Sequence, residues 1–226
     1  MMFSPIWIIS ISIFLFSFLG ILVFASVLFK PIDKYKFSFM RIFPFEIAEN
    51  SDRYGKYYSL STYLFSGMCF TPLIIICSTH SLLDNLKPLS ILLVCLLGLS
   101  SLCFVFLNIF NATHVKTHLS IFTVFASLVL LSSALIFARG LTASNLYLEH
   151  GKNEIIFLVT EILSGLATIF SVIIILNPKL KTWPKLDQVD GEYVRPKRFV
   201  LAYSQWALLL VLFIDVILLF IQLLVK

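Results

Sequence analysis

The chain has 226 residues, of which 59% are hydrophobic and 13% charged, against about 45–50% apolar and 25% charged in soluble domains. With a mean hydropathy of +0.98, this composition excludes an ordinary soluble domain or a disordered chain and places the protein in the membrane class. The net charge is +5, but the basic residues lie between apolar runs and no nucleic-acid motif accompanies them, so they point to anionic lipid headgroups.

A membrane helix needs about 20 mostly apolar residues, because the hydrocarbon core is roughly 30 Å thick and each residue rises about 1.5 Å. Six stretches qualify, so the predicted fold is all-α: a single bundle of about six transmembrane helices. The first runs from 6 to 29. No basic residue precedes it, and it exceeds the usual 7–15-residue core of a signal peptide, so it is read as a retained helix. Lys30, Lys34, Lys36 and Arg41 follow directly.

Loop one spans 30–59 and holds the run FSFMRIFPFEI, in which Phe37, Phe39, Phe43 and Phe45 flank Arg41 and Pro44. Aromatic and basic residues beside a membrane helix favour the headgroup region, so an interfacial belt is expected, with a docking surface as the sharper alternative. The second helix, 60–79, carries a stripe of Ser59, Thr62, Ser66 and Cys69, and Pro72 should kink it. The third, 89–110, offers Gly98, Ser101 and Asn108, and the fourth, 119–138, offers Thr123 and Ser127. Such small and polar stripes let helices approach and hydrogen-bond within a bilayer. The fifth helix covers 155–176, loop five 177–203, and the sixth helix 204–225.

Thirteen of the 17 Lys and Arg residues fall in loops one, three and five. The positive-inside rule then puts loops 30–59 and 177–203 in the cytoplasm and both termini on the opposite side. The expected partners are the bilayer itself and anionic headgroups at loops one and five, with a neighbouring membrane protein as a further candidate.

The rare intramembrane acids carry the most information. Glu161 lies in helix five and Asp215 in helix six. A charge at the bilayer centre costs about 2.5–3.5 kcal/mol on insertion scales, so such residues must face protein, find a partner or take up a proton. Counted from the outer helix ends, Glu161 is roughly 10 Å deep and Asp215 roughly 15 Å deep, which suggests one shared layer. Around Glu161, the residues Ser164, Gly165, Thr168 and Ser171 recur at three- and four-residue spacing on one face. The candidate substrate or ion site is therefore Glu161, Asp215, Ser164, Thr168 and Asn108.

Other chemistries find no support in the residues. His80, His114, His118 and His150 lie at helix ends or in loops, where they are read as solvated rather than as haem or metal ligands. Cys69, Cys77, Cys95 and Cys103 form no CxxC pair and read as small hydrophobes. Nucleotide, metalloprotease and serine-hydrolase motifs are absent, so no cofactor, metal or catalytic residue is assigned. Two functions remain: a small proton- or cation-coupled carrier using the acids of helices five and six, or a non-catalytic subunit or assembly factor of a larger membrane complex. A lipid-modifying membrane enzyme is a weaker third.

Overall fold

In a computed structural model of the chain, residues 5–26, 37–49, 53–78, 84–110, 114–150, 155–181, 187–189, 192–194 and 198–224 are described. Among these residues eight α-helices follow in order: α1 (Pro5–Ser26), α2 (Pro44–Ala48), α3 (Arg53–Met68), α4 (Pro72–Ser78), α5 (Lys87–Ile109), α6 (Val115–Glu149), α7 (Ile155–Ile175) and α8 (Val200–Leu224). Within loop five, β1 (Asp187–Val189) pairs antiparallel with β2 (Glu192–Val194), Gln188 opposite Tyr193. Among the described residues, five helices are long and apolar enough to cross a membrane: α1, α5, α6, α7 and α8. The architecture is that of a multi-pass membrane protein.

The second predicted span, 60–79, is α3 and α4 together, broken at Cys69–Thr71. Pro72 lacks an N–H and cannot continue the helical ladder, and the break falls just before it. The predicted kink is thus a full interruption. At this point Phe70 lies over Gly98 of α5, where an added Cβ would come within 2.1 Å of its ring.

α8 is the central helix. Apolar residues run nearly all round it, and such a helix belongs inside a bundle rather than on its surface. Leu208, Leu212, Val216 and Leu219 are fully enclosed. α1 packs beside α3 and α8 through Phe14 on Phe65, with ring centres 5.1 Å apart, and Phe18 on Phe213, at 3.8 Å. By contrast α7 turns Ile162, Leu166, Ile169 and Ile173 outward, as a helix in contact with acyl chains does.

Two expectations change here. The fourth span does not end at Ala138: α6 continues to Glu149, 35 residues in all, or roughly 52 Å at 1.5 Å per residue. Between 138 and 149 there is no proline, the isolated Gly140 is tolerated inside a helix, and the next stop signal is Gly151. The aromatic run of loop one is also not a simple belt. Pro44 opens the short α2, and the Phe43 N–H donates to the Glu46 carboxylate at 2.8 Å. Ile42, Phe43, Phe45 and Ile47 are buried. The Trp206 indole donates to the Ile42 carbonyl at 2.9 Å, and the Phe199 N–H to the Met40 carbonyl at 2.7 Å. The described part of loop one, 37–49, therefore closes one end of the bundle, leaving Phe39 and Met40 on its outer side.

Candidate functional site: two carboxyl–serine pairs and a buried arginine

Both intramembrane acids point into the protein: Asp215 is 0% exposed and Glu161 6%. α8 places Asp215 against α6, where Ser133 Oγ lies 2.6 Å from Asp215 Oδ2. The same hydroxyl lies 3.1 Å from the Val129 carbonyl of its own helix. A hydroxyl carries one proton. Both bonds form together only when the Asp215 carboxyl carries its own proton and donates it to Ser133. The other carboxyl oxygen, Oδ1, is buried and meets no donor.

Glu161 repeats the arrangement. Ser144 Oγ lies 2.7 Å from Glu161 Oε1 and 3.1 Å from the Leu141 carbonyl. One α6 hydroxyl again faces two acceptors. Ser133 and Ser144 are three helical turns apart on one face of α6, about 16 Å along its axis. The two acids therefore occupy separate layers, against the single layer expected. The stagger of α7 and α8 explains this: Gln222, two turns beyond Asp215, meets α7 at Thr160 with Nε2 donating to Oγ1 at 2.9 Å.

Between the two pairs lies Arg139, 1% exposed. Its Nε donates to Ser90 Oγ of α5 at 2.9 Å and its Nη1 to Gln222 Oε1 of α8 at 2.7 Å. A planar guanidinium can hold two acceptors on different helices because its donors are fixed in a fork. Gly140 makes the approach of α7 and α8 possible, since an added Cβ would sit 2.9 Å from both Gln222 Nε2 and Glu161 Cγ. Ending helix four at Ala138 leaves Arg139 just outside the span, whereas the structure encloses it in α6. The signal for it is the absence of proline from Ala138 to Glu149, which lets the helix run on past the apolar span.

The other predicted site residues stand apart from these pairs. The hydroxyls of Ser164 and Thr168 donate to the Thr160 and Ser164 carbonyls of their own helix at 2.7 and 2.8 Å. Asn108 lies at the opposite end of the bundle, beside the buried Tyr58 hydroxyl. Neither the Asn108 amide nor that hydroxyl reaches hydrogen-bond geometry with a partner. His118, expected to be solvated, is fully buried there. Its Nδ1–H donates to the Phe110 carbonyl, so Nε2 is left to accept from Gln205 Nε2 at 2.7 Å. His114 and His150 are exposed, and His80 lies outside the described residues. Of the predicted packing stripes, helices two and three meet through Ser66 and Ser101 at 3.0 Å, whereas Thr123 and Ser127 of α6 face outward. Among the described residues no three His, Cys, Asp or Glu side chains converge on a metal-sized site.

No family profile, curated protein or solved structure matches the chain.

Proposed function

We propose that this protein is a proton-coupled membrane carrier in which Asp215 and Glu161 are the proton-exchanging groups and α6 presents both of them. The observation that supports this reading is the repeated pair, a carboxyl facing an α6 serine that already has a backbone acceptor. Intramembrane carboxyls enclosed by protein mark proton and ion pathways. Here each is held by a hydroxyl that accepts when the carboxyl is protonated and donates when it is not. Arg139 lies between the two pairs, held by Ser90 of α5 and Gln222 of α8. Leu208, Val211 and Leu212 separate Asp215 from the polar residues at the start of α8, so transfer across the whole bundle requires helix movement, as alternating access does.

The test uses purified protein in proteoliposomes loaded with a pH-sensitive dye. An inward proton gradient is imposed while a panel of amino acids, sugars, nucleosides and monovalent cations is offered. At least one solute should accelerate proton entry, and Asp215→Asn should slow that flux by roughly tenfold or more, equivalent to a barrier about 1.4 kcal/mol higher. Glu161→Gln should act in the same direction. If both variants match the wild type in solute-dependent flux, the acids serve packing and the carrier reading fails.

A further inference from the structure

Near the end of the bundle closed by loop one, α6 and α7 part to leave an outward-opening groove of about 230 Å³, lined by Ser120, Thr123, Ser127 and Phe122 on one wall and Ile175 and Leu180 on the other. This groove is separate from the acid pairs, which lie further along α6. Its polar residues are regularly placed: Lys116, Ser120, Thr123 and Ser127 follow at four-, three- and four-residue spacing and share one face of α6. Lys116 is exposed at the second position of the helix. Lys179, also exposed, adjoins Leu180 on the opposite wall. The positive end of α6 opens at the same mouth, and no His114 side chain caps it.

We infer that this groove binds one anionic phospholipid, with the phosphate at Lys116 and Lys179 and the ester region along Ser120 and Thr123. One acyl chain then runs past Ser127, Phe122 and Ile175. Three features select this occupant. The groove opens sideways between two membrane helices, where lipid is the surrounding solvent. Hydroxyls on a lipid-facing surface need acceptors there, because hydrocarbon provides none; Thr123 donates back to the Leu119 carbonyl at 2.9 Å, and Ser120, one turn from Lys116, is placed to donate to an ester oxygen. The mouth is cationic, and charged headgroups in the cytoplasmic leaflet attract each nearby Lys by about 1 kcal/mol. From Lys116 to Ser127 is about 16 Å along the axis, which spans a headgroup, its esters and the upper acyl chain.

The experiment is native mass spectrometry of the full chain in mild detergent, titrated with phosphatidylglycerol or phosphatidylcholine of matched acyl chains. Wild-type protein should retain one phosphatidylglycerol in preference to phosphatidylcholine. Lys116→Gln should lower that retention roughly fivefold and leave phosphatidylcholine unchanged. Ser127→Leu, which fills the groove without altering charge, should lower retention of both lipids, with an unchanged melting temperature showing that the variant is folded. Equal retention of the two lipids by the wild type overturns the inference, as does a Lys116→Gln variant that binds phosphatidylglycerol normally. So does displacement of the bound lipid by inorganic phosphate alone, since the site would then read phosphate without the chain. The readout involves no transport, so it stands independently of the carrier reading.

Discussion

Gln222 joins three helices through one amide: its oxygen accepts from Arg139 of α6 and its nitrogen donates to Thr160 of α7. Replacement by Leu leaves the enclosed guanidinium short of an acceptor. Hydrogen bonds to charged groups contribute about 1.5–3 kcal/mol each, so Gln222→Leu should lose about that much stability, read as a lower melting temperature in detergent. Removing both partners of such a bond is often nearly neutral. The double variant Arg139→Met with Gln222→Leu should therefore melt above Gln222→Leu alone; a double variant that melts lower would show that Arg139 has further partners worth more than this bond. At this scale the sequence was partly legible. Asp215 and Glu161 stood out because carboxyls are scarce in apolar runs, and both are indeed enclosed. Their serine partners did not, since Ser133 and Ser144 look like any other hydroxyls until α8 and α7 are laid against α6.

Element boundaries depend on the difference between a span and a helix. Twenty apolar residues satisfy the bilayer, and counting them ended helix four at Ala138, but backbone hydrogen bonding has no reason to stop where hydropathy does. α6 runs on to Glu149, and that extension carries Arg139, Gly140 and Ser144 into the site. The opposite happens at α3 and α4, where hydropathy continues through a backbone that breaks. The break lets Phe70 lie on Gly98, so Gly98→Ala should force the ring away, because the new Cβ would lie within 2.1–2.7 Å of three ring atoms. Overpacking of this kind costs about 1–3 kcal/mol. Adding Phe70→Leu should recover most of the lost melting temperature by freeing the space. Failure of the second change to rescue the first would mean that Gly98 matters for its backbone rather than for the ring above it.

Across the whole molecule, the alternation of helices ties charge to topology. α5, α6, α7 and α8 meet at one end through Ser90, Arg139, Thr160 and Gln222, while Asn108, His118, Gln205 and the loop-one cap gather at the other. Because Arg139 lies inside the bundle, only three of the 17 Lys and Arg residues, Lys87, Lys152 and Lys226, remain for the opposite side. By the positive-inside rule we propose that the capped end, with Lys116 and Lys179, faces the cytoplasm and the far end of α6 the outside. In a background with Cys69, Cys77, Cys95 and Cys103 replaced, a membrane-impermeant maleimide should label Glu149→Cys in intact cells and Lys179→Cys only after permeabilisation. The two positions flank α7, a single crossing of 21 residues. Labelling of both from the same side would contradict that crossing itself, whereas labelling in the reversed pattern would keep the fold and invert its orientation, moving the lipid groove to the outer leaflet.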